Sequence, residues 1–203
     1  MDRAASRETL GLEASDFLVL FTGKLIERKG VDILIAALKQ IRPTQPRVVM
    51  GLVGDGPMRP VVEQAAREIG QRRLRLFGFV NQSSLGGYYA AADAFVLPSR
   101  HETWGLVVNE ALYFGLPVIV SNRVGCAPDL VSPDNGFVFD VTDSSALSHA
   151  ISELASNPGR ASMMGGRGRE IVSRYSTECS AEGLERAVVH AVNEAVMSEG
   201  KVR

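Results

Sequence analysis

Long apolar runs, an excess of charge and a cysteine framework are all missing from this sequence of 203 residues. No apolar stretch approaches the roughly 18 residues that would span a bilayer, and the opening MDRAASRETLG has no apolar signal core. A formal net charge of −1 argues against a nucleic-acid-binding or polybasic membrane surface. We therefore expect a cytoplasmic protein that binds no nucleic acid.

Metal and hydrolase motifs are missing as well. Cys126 and Cys179 match no metal-ligand spacing and no disulfide framework, which fits a reducing compartment. The sequence has no D-x-D pair, no His/Asp/Glu cluster with metal-ligand spacing, no G-x-S-x-G elbow and no G-x-x-x-x-G-K-[ST] loop. We expect no bound divalent cation.

Apolar, β-rich runs alternate with helical patterns almost throughout the chain. Runs that are apolar on both faces favour a parallel sheet covered by helices. The pattern predicts an α/β fold, a Rossmann-like parallel sheet of about six strands with helices on both faces. The predicted strands are 17–23, 47–54, 74–80, 94–99, 117–122 and 136–140, and the predicted helices are 31–41, 58–70, 83–92, 105–115, 127–131, 143–156, 159–173 and 178–198.

Glycines and polar residues collect where the predicted strands end. The segments GKLIERKG, GDGP, GFV, SRHETWG and SNRVGCAPD each begin at such a point. Loops that follow parallel strands emerge at one edge of the sheet, where open α/β folds bind their ligands. The sequence therefore predicts a single binding edge.

The first of these loops carries two of the few lysines in the chain. Gly23 allows a sharp turn, and Lys24 and Lys29 present two cations suited to a phosphate or diphosphate. The alternative is a solvated charged loop in which Glu27 and Arg28 pair locally.

The GDGP segment is a weak signal on its own. Its glycines suit a turn, with the proline leading into the next helix. A dinucleotide fingerprint needs a further glycine where Arg59 stands. A structural role is favoured over dehydrogenase-type dinucleotide binding.

The segment RHETWGLVVNE is the strongest signal, because it keeps two acids in a mostly apolar stretch. A helix predicted to begin near Gly105 would direct its first amides at the binding edge, where they favour an anion. Glu102 precedes that helix and Glu110 lies inside it. A buried carboxylate requires donors, which are either sugar hydroxyls or an internal arginine. His101 is a weaker ligand candidate, and Trp104 is expected to pack on a neighbouring loop.

Taken in order, these landmarks resemble group 1 glycosyltransferases. They are GKLIERKG (23–30), GDGP (54–57), FGFV (77–80), ADAFVLPS (92–99), the glutamates at 102 and 110, GLPVI (115–119) and a glycine-bearing loop at 125. The resemblance covers about residues 8–175 and implies the C-terminal, nucleotide-sugar-binding half of a retaining enzyme with the GT-B architecture.

The resemblance also implies a role for each matching residue. Lys24 and Lys29 would hold the donor diphosphate, Glu110 the ribose hydroxyls and Glu102 the transferred sugar, with Lys24, Lys29 and Glu102 as the catalytic set. Asp129 departs from the glutamate common in the family, which puts its role in doubt. The implied donor-binding set is Gly23, Phe79, Val80, Leu85, His101, Trp104, Gly105, Leu106, Val107 and Glu110. Within it, the amides near Gly105 would bind sugar and phosphate, and Phe79, Val80 and Leu85 would border the base.

The implied donor is a nucleotide diphospho-sugar of the UDP or GDP type, with no other cofactor and no metal. We expect residues 1–16 to be an interdomain linker remnant, 17–175 the donor-binding domain and 176–203 a C-terminal helix. The acceptor half would then be a missing N-terminal domain or a separate chain. The isolated domain would be inactive, and peripheral membrane association of the parent enzyme stays open. The alternatives are a nucleotide-sugar-binding sensor without catalysis and a nucleotide-sugar epimerase.

Overall fold

A computed structural model of the chain describes residues 2–43 and 47–199. Its strands are β1 (Asp16–Thr22), β2 (Arg47–Val53), β3 (Leu74–Gly78), β4 (Ala94–Leu97), β5 (Val118–Ser121) and β6 (Gly136–Phe139). Its α-helices are α1 (Arg3–Thr9), α2 (Val31–Gln40), α3 (Arg59–Ile69), α4 (Gln82–Ala91), α5 (Leu106–Tyr113), α6 (Ala127–Leu130), α7 (Ser144–Ser156), α8 (Pro158–Val172) and α9 (Thr177–Glu199). A short 3-10 turn, Glu27–Lys29, precedes α2.

The strands form one parallel sheet in the order β3-β2-β1-β4-β5-β6. The predicted α/β fold with about six parallel strands is confirmed. The direction of strand succession reverses between β1 and β4, and in such sheets the crevice at that reversal is the usual ligand site.

Burial explains why the apolar runs became strands. Every residue of β1, β4 and β5 is buried, which is expected for central strands covered on both faces. Right-handed crossovers from this strand order place α2 and α3 on one face and α4, α5 and α6 on the other. The helix contacts agree, since α7 packs on α2, α1 on α4, and α8 on α5.

The segment predicted as a linker remnant, 1–16, contains the helix α1 and the first residue of β1. The Asp2 side chain caps this helix by accepting from the amide of Ala4 at 2.9 Å. Arg3 and Arg7 both form ion pairs with Asp93, at 2.5 and 2.9 Å. Because Asp93 also accepts from the amide of Leu18 at 2.7 Å, α1 is fastened to the amino edge of the sheet.

The helix α9 occupies most of the predicted C-terminal segment, 176–203. Leu184, Val188 and Val192, at helical spacing, are 68%, 54% and 55% exposed. Residue 1 of the predicted first segment and residues 200–203 of the predicted last segment lie outside the described residues. Within the part of the chain that the structure describes, no helix has the length and apolar character needed to cross a membrane.

Candidate functional site

The loop after β2 lies directly on the loop after β1. The amides of Gly23 and Leu25 donate to the carbonyls of Val53 and Asp55 at 3.0 and 2.9 Å. A Cβ on Gly54, whose φ is 141°, would lie 1.8 Å from the Gly23 carbonyl oxygen. Only glycine permits this backbone approach, so the structural role expected for the first GDGP glycine is what the structure shows.

The loops after β4 and β5 are joined in the same way. The Glu102 amide donates to the Arg123 carbonyl at 3.1 Å, and the Glu102 carbonyl accepts from Gly125 at 2.9 Å. A Cβ on Gly125 would lie 1.9 Å from the Thr103 carbonyl oxygen. Backbone contacts therefore fix the position of Glu102.

A cleft of about 660 Å³ opens at the carboxyl edge of β1, β2 and β3. Its lining includes seven of the predicted donor-site residues, and these are Gly23, Lys24, Phe79, Val80, Leu85, Val107 and Glu110. The other lining residues are Thr22, Val53, Gly54, Asp55, Gly56 and Gln82. Lys24 is exposed, and the Phe79 side chain is 77% exposed.

The predicted cation Lys29 and the predicted sugar ligand Glu102 form an ion pair, Nζ to Oε2. Their side chains are only 16% and 15% exposed. Lys29 runs beside the cleft, because a Cβ on Gly23 would lie 3.8 Å from its Cε atom. The pair joins the loop after β1 to the loop after β4, across the reversal of strand order.

Arg100 supports the Lys29–Glu102 pair by holding the residues that precede and follow Lys29. Its amide donates to the Arg28 carbonyl at 2.7 Å and its guanidinium to the Glu27 carbonyl at 2.9 Å. The guanidinium also makes two bonds to the Asp32 carboxylate, at 2.7 and 2.6 Å. The hydrogen bond from Arg100 holds the pKa of Asp32 below its usual range. The backbone carbonyls of Glu27 and Arg28 thus both accept hydrogen bonds from Arg100.

Gly105 turns the chain into α5 with a φ of 98°. A Cβ there would approach Leu97, Glu102 and Val124 to between 3.2 and 3.3 Å. The first amides of a helix have no partner within it, and the side chain of Leu106, the first residue of α5, is 69% exposed. The amide end predicted from the sequence thus begins immediately after the loop that carries Glu102.

Glu110 lies one turn into α5 and is half-buried. Its Oε2 atom accepts from the Tyr89 hydroxyl at 2.7 Å, and its Oε1 atom accepts from Gln82 at 3.4 Å. The Tyr89 hydroxyl is also 2.9 Å from Oγ1 of Thr22. These contacts replace the internal arginine considered as an alternative.

Tyr89 remains a neutral donor. Its side chain is 2% exposed, and burial raises the pKa of its hydroxyl far above the usual range. The ring stacks on Phe114, with centroids 5.3 Å apart, and also contacts Phe95. The hydroxyl is therefore held in place by the packed core.

Several predicted residues lie outside the cleft lining, and these are Lys29, Glu102, His101, Trp104, Gly105 and Leu106. The Trp104 indole donates to Asn109 at 3.0 Å, and its ring is 6.3 Å from that of Tyr175. His101 is exposed on the loop after β4. Asp129 lies in α6, where its carbonyl accepts from the Tyr175 hydroxyl at 3.4 Å.

Sequence reasoning missed Thr22, Asp55, Gln82 and Tyr89. Thr22 ends a strand that is otherwise apolar after Asp16, and Tyr89 carries a polar group into a helix that packs on the core. A polar atom within such a buried stretch requires a partner, and that was the available signal. No sequence rule connects Tyr89 to Glu110, which lies on a different helix.

Across residues 2–43 and 47–199, no group of three or more His, Cys, Asp or Glu side chains could hold a metal ion. Cys126 lies buried behind the Glu102 loop, and burial raises its pKa to about 12. Cys179 is exposed on α9. Both cysteines are free thiols.

The sequence profile of the family described as "Glycosyl transferases group 1" matches residues 2–171. The chain belongs to this family. It is 31% identical over 191 residues to a GDP-mannose-dependent monoacylated alpha-(1-6)-phosphatidylinositol monomannoside mannosyltransferase of Corynebacterium glutamicum, covering 90% of this chain and 50% of that protein. It is 34% identical over 173 residues to the lipopolysaccharide core biosynthesis glycosyltransferase LpsD of Rhizobium meliloti, covering 84% and 49%.

Solved structures of glycosyltransferases share the fold. Sucrose-phosphate synthase from Thermosynechococcus elongatus superposes with a TM-score of 0.78 at 31% identity, over 93% of this chain and 49% of that one. Anabaena Alr3699/HepE in complex with UDP superposes with a TM-score of 0.78 at 26% identity, over 90% of this chain and 52% of that one. The group 1 glycosyltransferase chain thus spans about half the length of these relatives, and the predicted Rossmann-like half of the GT-B architecture is confirmed.

Proposed function

We propose that this group 1 glycosyltransferase chain is the donor-binding domain of a retaining, metal-independent enzyme that uses a nucleotide diphospho-sugar. The observation that carries the proposal is the cleft at the carboxyl edge. One wall carries Lys24, another carries Glu110, and the Lys29–Glu102 pair lies beside it. The cleft thus offers a cation for a diphosphate and a carboxylate for ribose hydroxyls, and a second cation and carboxylate lie beside it.

The diphosphate would lie against the loop after β1. Lys24 is exposed at the cleft, and Lys29 is held beside Gly23. The N-terminus of α5 adds the partial positive charge of its free amides. A bound diphosphate would compete with Glu102 for Lys29 and would free the Glu102 carboxylate to accept from a sugar hydroxyl.

The ribose would be bound by Glu110, whose carboxylate lines the same cleft. A carboxylate accepts hydrogen bonds at about four lone-pair positions. Tyr89 and Gln82 use two of them, so acceptor capacity remains for vicinal hydroxyls. Phe79, Val80 and Leu85 would border the base, as the resemblance implies.

The chemistry follows from stabilising the leaving group. The bond from the anomeric carbon to the diphosphate breaks, and a bond to the acceptor oxygen forms on the same face of the sugar. The acceptor's proton passes to the departing diphosphate oxygen. Lys24, Lys29 and the α5 amides would stabilise the charge that develops on the diphosphate.

The donor would be a nucleotide diphospho-sugar of the UDP or GDP type. One relative is named as GDP-mannose-dependent, and one structural neighbour was solved with UDP. The acceptor site would come from an N-terminal domain or a separate chain, since this chain spans about half the length of its relatives. We expect the protein to be cytoplasmic. We expect negligible sugar transfer by the isolated chain.

Calorimetry of the purified chain with UDP, GDP and ADP tests the site. We expect Lys29→Ala and Glu110→Ala each to weaken nucleotide affinity about tenfold or more, as expected for the loss of a hydrogen bond to a charged group. Lys39→Ala is the matched control, because Lys39 pairs with Glu68 on the outer helices. If both cleft substitutions leave affinity unchanged, or if none of the three nucleotides binds, the site assignment is wrong.

A transfer assay tests the remaining parts of the proposal. We expect no sugar transfer from UDP- or GDP-sugars by the 203-residue chain alone, and transfer that is insensitive to EDTA once the acceptor half is supplied. Robust transfer by the isolated chain would contradict its proposed inactivity. Loss of transfer on chelation, restored by Mg²⁺, would contradict the metal-independent mechanism.

A further inference from the structure

The Glu110 carboxylate is held by a chain of neutral hydroxyl groups that the proposed chemistry does not use. The chain runs from Oγ1 of Thr22 to the Tyr89 hydroxyl, 2.9 Å away, and from there to Oε2 of Glu110, 2.7 Å away. Thr22 ends β1, Tyr89 lies in α4 and Glu110 lies in α5. Three elements are therefore joined through the Tyr89 hydroxyl.

The direction of the hydrogen bonds in this chain follows from the chemistry of its end. A carboxylate oxygen only accepts, so the Tyr89 hydroxyl donates to Glu110. The same hydroxyl then accepts, and Thr22 donates to it. The hydroxyl of Tyr89 is thereby committed to one direction, and it has no proton left for a ligand.

Packing of the Tyr89 ring restricts the position of its hydroxyl. It is 2% exposed and lies against Phe114 and Phe95 at centroid distances of 5.3 and 6.0 Å. By contrast, Gln82 is exposed and reaches Oε1 of Glu110 only at 3.4 Å. The rigid contact is on Oε2 and the weak contact is on Oε1.

We propose that Tyr89 is a positioning residue for ribose recognition, holding Oε2 of Glu110 so that Oε1 is presented to the vicinal hydroxyls of the nucleotide. The inference rests on the proposed function, because it takes Glu110 as the ribose ligand. It adds that the selectivity for a ribose over a sugar lacking both hydroxyls depends on the Tyr89 hydroxyl. Without that hydroxyl, the carboxylate would rotate and would meet the ribose in several orientations.

The test compares UDP and GDP with 2′,3′-dideoxy-UDP and 2′,3′-dideoxy-GDP by calorimetry on the full chain. For Tyr89→Phe we expect the ratio of ribose to dideoxyribose affinity to fall about tenfold, the order expected from one hydrogen bond. The dideoxy affinity itself should change little. A loss that is equal for both nucleotides would show a packing role only and would overturn the proposal.

Two further variants control the result. Tyr88→Phe removes the neighbouring hydroxyl, on a ring that packs edge-on against Phe77 at 5.1 Å, and should leave the ratio unchanged. Thr22→Val removes the upstream donor while keeping the side-chain shape, and should lower the ratio in the same direction by a smaller factor. Thr22→Val keeps the question answerable if Tyr89→Phe does not fold, and an unchanged ratio in it would then contradict the proposal.

The variant Glu110→Gln distinguishes a failure of the Tyr89 inference from a failure of the proposed ribose-binding role of Glu110. If Glu110→Gln abolishes ribose selectivity and Tyr89→Phe keeps it, Glu110 binds ribose without the help of Tyr89 and the present inference fails alone. If the wild-type chain shows no ribose selectivity, the assignment of Glu110 fails and this inference fails with it. A reduced ratio in both variants supports both.

Discussion

The carboxylate in the cleft and the carboxylate beside it are held by opposite means. On the lysine side, which comprises residues 23–30 and 98–105, Glu102 is paired with the Lys29 ammonium. On the tyrosine side, which comprises α4 and α5, Glu110 is held by the hydroxyl of Tyr89 and the amide of Gln82. A charged partner can be drawn away by an anionic ligand, whereas a neutral buried hydroxyl cannot. If a diphosphate binds as proposed, the Lys29–Glu102 pair would exchange partners and the Tyr89–Glu110 contact would not.

The largest expected effect comes from disrupting the backbone contacts that position the Glu102 loop on the lysine side. In Gly125→Ala the new Cβ would lie 1.9 Å from the Thr103 carbonyl oxygen, so the Glu102 loop must move. We expect a loss of about 3 kcal/mol in the free energy of unfolding, measured by urea denaturation. Gly166→Ala in α8, where a Cβ meets nothing within 4 Å, is the control and should not destabilise the chain. An equal loss in both variants would refute the backbone argument.

A double-mutant cycle on Lys29→Met and Glu102→Gln measures the ion pair itself. Both side chains are mostly buried, so each single variant leaves a poorly solvated charge, and the double variant leaves none. We expect a coupling energy of about 1–3 kcal/mol in denaturation at low salt. It should shrink as NaCl is raised, because salt screens charge pairs. A coupling near zero would contradict the comparison.

A substitution on the tyrosine side should lower the free energy of unfolding by less, and this loss should not depend on salt concentration. Tyr89→Phe removes one buried hydroxyl and keeps the ring packing, so we expect a loss of about 1 kcal/mol in unfolding free energy. That loss should be the same at low and high NaCl concentration, since the tyrosine is neutral. A salt dependence equal to that of the lysine side would show that the two sides do not differ in kind.

The smallest effect concerns the brace on the lysine side. Arg100 lowers the pKa of Asp32 from its ordinary value of 3.8, so the pair stabilises the chain above that pH. The contribution is lost as the pH falls through the still lower pKa of the folded state. The Asp32 side chain is 46% exposed, so Arg100→Gln should cost no more than about 0.5 kcal/mol at pH 6. The difference between wild type and variant should shrink as the pH falls through that lowered pKa, and a difference that does not change with pH would contradict this account.

The sheet and its binding edge were predictable because they rest on local pattern. Runs such as FLVLFT and FVLP are apolar on both faces, and only a covered parallel sheet accommodates several of them. The loops that follow those strands must then share one edge. For the same reason the cleft could be placed near Gly23 and Glu110 before any contact was known.

What could not be predicted depends on distant contacts. Lys29 and Glu102 were each assigned to a ligand, and nothing in their spacing indicates that they pair with one another. Tyr89 was overlooked because its partner is on another helix. The helix α1 has no buried residue, so it lacks the apolar stripe by which helices are recognised. Its attachment comes from Arg3 and Arg7 reaching Asp93.

The attachment of α1 has a mechanical consequence. Two guanidinium groups converge on Asp93, and that residue immediately precedes β4. A displacement of α1 would therefore be resisted at the starts of both β4 and β1, because Arg7 also donates to the Asp16 carbonyl at 2.7 Å. The opposite ends of these two strands lead into the loops that carry Glu102 and Lys29, so α1 and the cleft lie at opposite ends of the same two strands.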